Sequence, residues 1–365
     1  MTLGRLARRN SGVVVGFCFS VAFAAALAGC GSNSDDPGGS GGSGGSGGNG
    51  SGTGGTVSTP DCTGAFTKIP TPYSANTAFD DLGAFAIDDK GLVFSALPDE
   101  DLGAKAGELP NVLMATDLTG NVITLRESTA GFFSNPVFDG DDVIVTEGFA
   151  NRQLVRMPRT GGSVTVLVEG IRDGAFADAT SLYYLGYGPD GGGLAVYSLP
   201  RAGGTPKLLS DRGSMGIRGF AFEGDTLYWA EQKSLLEDPV NVYSMKVGAT
   251  EPTLLAAIPS DTSGGLTVSG GVLFSTLLTD DFDFDTYRID AGKAPTLMGE
   301  TGLPFLLADG KAYYASTSGG ITRNSLAFDS PSSVSGTAGK SIYAIGSGPT
   351  DLWYAVQGCI YRTAK

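Results

Sequence analysis

The segment MPRTGGSVTVL at residues 157–167 returns farther along the chain as LPRAGGTPKLL at residues 199–209. The two copies agree at the Pro-Arg pair, the Gly-Gly pair and the final Leu, an agreement that chance rarely produces. Glycine reaches positive φ without steric cost, so each Gly-Gly pair predicts a tight hairpin turn between two strands. The two segments therefore predict a chain built from repeated antiparallel units.

An apolar or aromatic triplet, usually placed after a turn with Asp or Gly, recurs at intervals of roughly 40–50 residues. The triplets are Leu92–Phe94, Val143–Val145, Leu182–Tyr184, Leu227–Trp229, Val272–Phe274, Ala312–Tyr314 and Leu352–Tyr354. Short strand-like runs precede and follow each triplet, and there is no convincing helical periodicity from residue 80 onward. Four short strands per repeat at this period predict an all-β chain, a seven-bladed β-propeller with four-stranded antiparallel blades.

The last repeat ends at Lys365 after its third strand, whereas the strand-like run Phe66–Pro70 stands alone before the first repeat. We therefore expect this N-terminal strand to close the last blade and to leave no open sheet edge. Cys62 and Cys359 lie at the two ends of the same body, and an exported protein would join them in a disulfide. The alternative is two unrelated thiols. A bridge requires Cα atoms within about 7 Å, so the N-terminal segment must double back or pair in a different register.

The first 29 residues have the features of a signal peptide. Arg5, Arg8 and Arg9 precede an uncharged apolar run from Val13 to Leu27, which is shorter than the roughly 20 residues of a membrane span. The run ends in LAGC at residues 27–30, with cleavage expected before Cys30. An ordinary secretory signal with a chance cysteine is the alternative. Residues 30–60 are rich in Gly and Ser, which predicts a coil that links Cys30 to a propeller domain over residues 61–365.

The LAGC segment resembles the lipobox of bacterial lipoproteins, and this resemblance implies that Cys30 carries lipid. Gly31 rather than Asp follows the cysteine, which by the same resemblance favours the outer membrane, with the body facing the periplasm or the cell surface. The chain with these triplets, Gly-Gly hairpins and this leader resembles the YWTD-like and TolB-like β-propeller lipoproteins. The resemblance covers about residues 80–365. No triplet reads YWTD, and the WD-repeat and sialidase signatures are absent. The resemblance implies an architecture and leaves the activity open.

Composition excludes several classes of function. The chain has 38 acidic and 24 basic residues and a net charge of −14, which becomes −17 once the three leader arginines are removed. Such a charge repels phosphate backbones, so we expect no nucleic-acid partner. The chain has no histidine, which removes the usual triads, imidazole metal sites and the common general base. An enzyme would need carboxylate, Tyr or Lys chemistry, as in a carbohydrate-active hydrolase or lyase. This is the alternative to a non-enzymatic module.

Loop length suggests where a ligand binds. The links between second and third strands are predicted to be long in four of the repeats, and in a propeller they all emerge on one face. Clustered acids in these links are the candidates for the binding face: Asp99, Glu100, Asp101, Glu231, Glu237, Asp238 and Asp280. Because loops on a rigid scaffold carry function, we expect this face to bind a protein or glycan, with the protein acting as a monomer. An equally good interpretation is that acidic insertions are tolerated wherever solvent is available.

Two smaller features lie on the same predicted face. In LTDDFDFDTY, residues 278–287, the carboxylates of Asp281, Asp283 and Asp285 have the spacing of the first ligands of a Ca²⁺ loop. Thr286 and Gly292 replace the Gly and Glu that such a loop requires, so the sequence does not fit an EF-hand. A half-buried strand with a solvated acidic face is favoured, a looser oxygen-ligand site for Ca²⁺ is the alternative, and no other cofactor is implied. The other links hold the Phe132-Phe133 pair and three isolated cations. The pair would stack on a sugar or, more often, fill the groove between blades. The cations are Arg172, Arg212 and Arg218.

Overall fold

The computed structural model places residues 55–365 in one compact unit. It describes residues 61–75, 85–99, 109–129, 131–149, 151–189, 194–211, 216–232, 239–259, 265–278, 284–316, 318–356 and 358–365. Within these ranges every regular element is a β-strand. Accordingly, none of the described residues belongs to a helix long and apolar enough to cross a membrane. The signal peptide, Cys30 and the coil predicted for residues 30–60 lie outside the described residues.

The strands follow one another along the chain with short connections. The first half comprises Thr67–Lys68 (β1), Tyr73–Ala75 (β2), Phe85–Asp88 (β3), Gly91–Pro98 (β4), Asn111–Asp117 (β5), Val122–Ser128 (β6), Phe132–Asp139 (β7), Asp142–Gly148 (β8), Arg152–Pro158 (β9), Thr165–Ala177 (β10), Ser181–Tyr187 (β11), Leu194–Pro200 (β12), Lys207–Asp211 (β13) and Gly216–Glu223 (β14). The second half comprises Thr226–Gln232 (β15), Val240–Lys246 (β16), Thr253–Ile258 (β17), Leu266–Ser269 (β18), Val272–Leu278 (β19), Phe284–Ile289 (β20), Thr296–Thr301 (β21), Phe305–Ala308 (β22), Lys311–Ala315 (β23), Ile321–Ser325 (β24), Ser332–Ser333 (β25), Ala344–Ser347 (β26), Asp351–Val356 (β27) and Cys359–Ala364 (β28).

The described strands form antiparallel sheets in which chain neighbours pair. Four sheets have four strands each, with the orders β14-β15-β16-β17, β18-β19-β20-β21, β22-β23-β24-β25 and β1-β28-β27-β26. A five-stranded sheet contains β2 to β6, and a seven-stranded sheet runs from β7 to β13. In the latter, β10 pairs with β9 through its first half and with β11 through its second half, so it ends one set of four strands and begins the next. Every predicted triplet lies in the second strand of such a set, which confirms the strand order expected from the repeats.

The first strands of successive sets contact one another in a closed cycle. The sequence of contacts is β3 to β7, β7 to β10, β10 to β14, β14 to β18, β18 to β22, β22 to β26 and β26 back to β3. These strands are therefore innermost, and the fourth strands are outermost. The grooves between neighbouring sheets contain the apolar core. Phe133 of β7, for example, is fully buried against Val93 and Leu113 of the preceding sheet.

The cycle is closed by pairing the N-terminal strand with the C-terminal one. Thr67 pairs with Ile360 and Lys68 with Cys359, which places β1 as the outermost strand beside β28. The chain doubles back just before β1, where the amide of Ala65 donates to the carbonyl of Cys62 at 2.9 Å. This turn returns Cys62 to Cys359, and the two form a disulfide with Cα atoms 5.6 Å apart. The predicted bridge is confirmed, and doubling back is the geometry that permits it.

The repeated Pro-Arg pairs connect neighbouring sets of strands. Arg159, after β9, forms an ion pair with Asp88 at the end of β3, and its guanidinium lies 4.4 Å from the ring centroid of Phe138. Arg201, after β12, reaches back in the same way to Asp139 at the end of β7, at 3.1 Å. It also donates to the carbonyl of Phe138 at 2.6 Å. Each arginine thus ties the turn end of one set to the preceding set, which explains why both copies carry it.

Loss of the disulfide is expected to destabilise the closed body. The bridge spans 297 residues, so it restricts the unfolded chain strongly. We expect Cys62→Ser with Cys359→Ser to lower the free energy of unfolding by about 2–5 kcal/mol, as measured by urea denaturation. The wild type under reducing conditions should unfold at the same urea concentration as the double variant. An unchanged midpoint would mean that strand pairing alone closes the cycle.

Loss of a connecting arginine should cost more than loss of an exposed cation. Arg201→Gln removes one of the two arginines that pair with Asp139 and leaves two backbone carbonyls without a charged donor, so we expect a loss of about 1–3 kcal/mol. The matched control is Lys246→Gln, because Lys246 and Asp225 form a 3.6 Å pair whose side chains are mostly exposed. This control should change stability by less than about 1 kcal/mol in the same urea assay. Equal effects of the two variants would contradict a connecting role for Arg201.

Candidate binding face on the loop side of the sheets

The two ends of the sheets differ in structure. In each antiparallel set, the tight turns after the first and third strands lie at one end, and the remaining links lie at the opposite end, here called the loop side. The arginine contacts described above hold the turn end. The loop side is the end at which the acidic candidates were predicted.

Three exposed apolar side chains lie on the loop side, and they belong to three consecutive sets. Leu109, Phe149 and Tyr187 are 37%, 45% and 46% exposed, and each lies in or next to a link between a second and a third strand. We call these three residues the apolar arc. The other strongly exposed large apolar side chains among the described residues lie in fourth strands or in the turns before them. They are Leu118, Ile123, Val166, Val247, Leu208, Leu254 and Leu297.

The Phe132-Phe133 pair lies in strand β7 rather than in a loop, and its two rings have different roles. Phe133 is fully buried in the groove between two sheets, so the groove-filling interpretation is correct for this ring. Phe132 is half-buried and packs edge-on against Phe149, with ring centroids 6.0 Å apart. Phe132 thereby supports the exposed ring of the apolar arc. Successive residues of a strand point to opposite faces, which separates the two rings.

Tyr187 is held in place by a second tyrosine. The hydroxyl of Tyr197 donates to the carbonyl of Tyr187 at 2.8 Å, and the Tyr197 ring stacks on Tyr184 at 5.5 Å. Gly186 permits this packing, because a Cβ there would lie 3.0 Å from the Tyr197 ring. Burial, together with the charge of Asp211, raises the pKa of Tyr197. The hydroxyl therefore stays protonated and remains a donor at neutral pH.

An ion pair with a buried carboxylate is formed by Glu147, two residues before Phe149 in the chain. Glu147 is 4% exposed, and its carboxylate accepts from Arg126 at 2.8 Å and from Gln153 at 3.3 Å. Arg126 comes from β6 and Glu147 from β8, so the pair joins two neighbouring sheets close to the loop side. A buried charge that is paired and hydrogen-bonded is costly to displace, which makes this part of the face preorganised.

Three consecutive innermost strands are irregular, and two of them belong to the sets that contain Phe149 and Tyr187. Register shifts interrupt β7 between Ser134 and Val137, β10 on either side of Asp173, and β14 between Ile217 and Gly219. In contrast, β18, β22 and β26 are four residues long and pair without interruption. Bulges of this kind redirect side chains and are common beside functional sites. The loop-side mouth of the cycle is therefore asymmetric.

Asn135 occupies the bulge of β7 with φ 48°, a conformation that Asn tolerates better than most residues. Its side chain lies against Gly174 of the neighbouring innermost strand. A Cβ at Gly174 would lie 1.9 Å from the amide nitrogen of Asn135, so only glycine fits there. Asn135 and Gly174 are thus a matched pair that sets the spacing of β7 and β10 at the mouth.

The predicted acidic candidates have different positions. Asp99 follows β4 on the loop side and is half-buried, and its amide donates to the carbonyl of Pro72 at 2.8 Å. Glu231 was expected on an exposed link, but it lies within β15, is fully buried, and accepts from the Trp229 indole at 2.6 Å. Glu231 is therefore not part of an exposed link, because strand β15 continues to Gln232. Glu100, Asp101, Glu237, Asp238 and Asp280 lie outside the described residues.

The candidate Ca²⁺ ligands are described only in part. Asp285 lies in β20 opposite Leu277 and Glu300, and its side chain is half-buried. Asp281 and Asp283 fall outside the described residues, as does Arg212. Among the described residues no three His, Cys, Asp or Glu side chains are grouped as metal ligands. Arg172 and Arg218, which were expected on links, lie in the innermost strands β10 and β14.

Sequence reasoning did not single out Leu109, Phe149 or Tyr187. Phe149 follows Gly148, and Tyr187 follows Gly186 at the start of a Gly-rich link. An aromatic residue beside glycine at the end of a second strand was therefore the available signal for an exposed ring. The pairing of Arg126 with Glu147 had no signal, because the two residues belong to different repeats.

Comparisons with known proteins identify the fold. A scan against protein-family models gives no match, and a search of curated proteins finds no relative. Among solved structures, the chain is similar to YCF48 bound to D1 peptide, with TM-score 0.54 and 11% identity over 81% of this chain and 98% of that one. YCF48 is a β-propeller. The fold of this chain is a β-propeller.

Other similar structures include part of an enzyme. A puromycin-hydrolyzing peptidase of Mycobacterium tuberculosis has TM-score 0.57 and 13% identity, covering 81% of this chain and 53% of the peptidase. This propeller chain thus spans about half the length of that enzyme. TolB from Acinetobacter baumannii has TM-score 0.47 and 12% identity, covering 79% of this chain and 67% of TolB. At these identities the likeness concerns the fold alone.

The contact between Asn135 and Gly174 can be tested by compensation. We expect Gly174→Ala to destabilise the protein by about 1–3 kcal/mol, because the new methyl overlaps the Asn135 side chain. Adding Asn135→Gly removes the obstructing group and suits the positive φ, so the double variant should regain most of the loss. Urea denaturation measures both. If the second substitution adds to the loss instead of relieving it, the two residues do not set the strand spacing.

Proposed function

We propose that this protein is an exported, lipid-anchored binding module without enzymatic activity. Its body is a propeller of seven blades, and its loop side binds a protein partner. The proposal joins the lipobox-like LAGC segment of the sequence with the loop-side geometry of the described residues. Lipid on Cys30 would hold the body at the outer membrane, facing the periplasm or the cell surface.

Support for seven blades comes from the cycle of innermost strands. Each of β3, β7, β10, β14, β18, β22 and β26 begins a run of neighbouring antiparallel strands, and each contacts the next one in order. The seven-stranded sheet then counts as two blades that share the continuous strand β10. In the last blade the fourth position is taken by β1, as the N-terminal closure requires.

The observation that carries the binding proposal is the apolar arc. Two exposed rings and an exposed Leu lie on the loop side of three consecutive sets. Phe132, Tyr197 and the ion pair of Glu147 support them, so the apolar surface is preorganised. Protein-binding surfaces are enriched in aromatic side chains at their centre and polar groups at their rim. The similar propeller YCF48 has been solved with a bound peptide, which supports a protein partner over a glycan.

The alternative is a carboxylate- or Tyr/Lys-dependent carbohydrate-active enzyme on the same propeller. An enzyme of this kind without histidine needs converging carboxylates or tyrosines at the site. The apolar arc offers Tyr187, whose ring is exposed, and the nearby Glu147 is occupied by Arg126. This arrangement favours surface recognition over acid–base chemistry.

Lipid attachment is tested in a bacterium that processes lipoproteins. The wild type should incorporate labelled fatty acid and fractionate with membranes. Cys30→Ala should lose both properties, because it removes the thiol to which diacylglycerol would be attached. Cys18→Ala is the matched control and should behave as wild type. Label retained in Cys30→Ala would rule out Cys30 as the anchor.

Partner binding is tested by replacing the exposed rings. We expect Phe149→Ser with Tyr187→Ser to weaken binding of an envelope protein partner at least tenfold, since buried aromatic side chains at an interface contribute about 2 kcal/mol or more. Leu254→Ser with Leu297→Ser is the control, because these side chains are at least as exposed as the two rings but lie in fourth strands. Crosslinking on intact cells identifies the partner, and titration with the purified partner gives the affinity.

Two outcomes would contradict the proposed function. Equal binding by both double variants would place the interface away from the apolar arc. Binding of envelope glycans but of no protein would replace the protein partner with a carbohydrate one.

A further inference from the structure

Acidic side chains occupy equivalent positions in the three sets that contain the apolar arc. Glu127 of β6, Glu169 of β10 and Asp211 of β13 each pair with the second residue of the neighbouring third strand. Each acid therefore lies near the loop-side end of the outermost strand of its set. All three side chains are exposed. We call these three residues the acidic rim.

The run of acids ends where the apolar arc ends. In the set that follows, the equivalent position is Ala257, which pairs with the second residue of β16. In the set that precedes, the outermost strand β1 ends with Lys68. Glu300 of β21 has the equivalent position farther round the cycle, in a set without an arc residue. Three consecutive acids thus coincide with three consecutive residues of the apolar arc.

The acidic rim lies outward of the apolar arc. The arc residues lie in or next to the links between second and third strands, whereas the rim residues lie in outermost strands. In the set of Tyr187, Asp211 lies two strands outward of Gly186, and two strand spacings are about 10 Å. Glu169 has the same relation to Glu147 in the preceding set. An apolar centre bordered by polar groups is the usual layout of a protein interface.

The described lysines of these sets lie at the opposite end of the sheets. Within the described part of residues 85–211 they are Lys90, in the turn between β3 and β4, and Lys207, the first residue of β13. Both positions are at the turn end. Neither Glu127 nor Glu169 forms an ion pair with a described residue. The lysines therefore do not reduce the negative charge beside the apolar arc.

The described arginines on the loop side of these sets leave that charge in place. Arg126 is paired with the buried carboxylate of Glu147. Arg152 is 6% exposed, and Arg172 is half-buried in the innermost strand β10. The outer part of the loop side therefore presents carboxylates to solvent beside exposed apolar side chains.

We infer that the apolar arc binds a basic segment of its protein partner. Apolar side chains of this segment cover the rings of Phe149 and Tyr187, and Lys or Arg side chains that flank them meet the acidic rim. The inference rests on the proposed binding function and specifies the chemistry of the partner. Complementary charge speeds association and disfavours partners of the wrong sign. A second copy of this chain is disfavoured, because its own acidic rim and its net charge of −14 oppose contact.

The test uses the purified full chain and three short peptides. The first has a Phe-Leu-Phe core with two lysines at each end, the second has glutamines in place of the lysines, and the third keeps the lysines around a Gly-Ser-Gly core. Fluorescence anisotropy titration at about 0.15 M salt gives the affinities. The first peptide should bind at least threefold more tightly than the second, since exposed ion pairs contribute modestly. It should bind at least tenfold more tightly than the third, which lacks aromatic anchors.

Glu127→Gln with Glu169→Gln should remove the preference for the lysine peptide over the glutamine peptide. The matched control is Glu251→Gln with Glu300→Gln, which changes the net charge equally. Both control acids are exposed, one in the turn before β17 and one in β21, in sets without an arc residue. The control should keep the preference. In the wild type, about 1 M salt should reduce it, because the Debye length is then about 3 Å.

Three results would overturn the inference. The first is equal affinity of the wild type for the lysine and glutamine peptides. The second is loss of the preference in both double variants, because the preference would then depend on net charge and not on the acidic rim. The third is a dimer of the free chain that Phe149→Ser with Tyr187→Ser dissociates, since a second copy would then occupy the apolar arc.

Failure of the proposed function itself gives a different result. Phe149→Ser with Tyr187→Ser should weaken binding of the lysine and glutamine peptides alike, and unchanged binding would overturn the proposed site together with the inference. Equal affinity for these two peptides, with binding lost in that variant, would overturn only the basic character of the partner. Near-ultraviolet circular dichroism shows whether each variant is folded. If the double glutamine variant is not, Glu127→Gln alone decides, and it should reduce the preference.

Discussion

The pairing of the N-terminal strand with the C-terminal one is the constraint on which the rest of the propeller depends. Three strands at the end of the chain, β26 to β28, form a sheet that would otherwise expose the edge of β28. Thr67 and Lys68 cover this edge, and the disulfide between Cys62 and Cys359 holds them there. An unpaired edge would leave backbone donors and acceptors exposed and invite pairing with another chain.

The same closure also joins the two ends of the repeat array. Phe66 packs against Trp353 with ring centroids 4.7 Å apart, and the hydroxyl of Thr67 donates to the carbonyl of Gly120 in the neighbouring sheet at 2.7 Å. The first and last repeats therefore share contacts as internal repeats do. In an open array the terminal repeats would each lack one neighbour, and the grooves at those positions would be exposed to water.

The turn end and the loop side of the sheets have different physical roles. At the turn end, Arg159 and Arg201 each pair with an acid of the preceding set, and Lys365 pairs with Asp309 at 2.5 Å. These contacts satisfy the charges locally and fix neighbouring sets to each other. On the loop side, apolar rings are exposed and innermost strands bulge. A scaffold held at one end can present irregular, strained positions such as Asn135 at the other.

The sequence by itself determined the all-β class, the order of strands within each repeat, the N-terminal closure and the two disulfide partners. These features depend on local rules, namely apolar periodicity and glycine at turns, together with a count of cysteines. Tertiary structure alone decided that Glu231 is buried and that Phe132 and Phe133 have opposite environments. The burial and pairing of a side chain depend on the neighbouring sheet, and the register between sheets is set by packing over the whole cycle. A repeat read in isolation carries no information about that register.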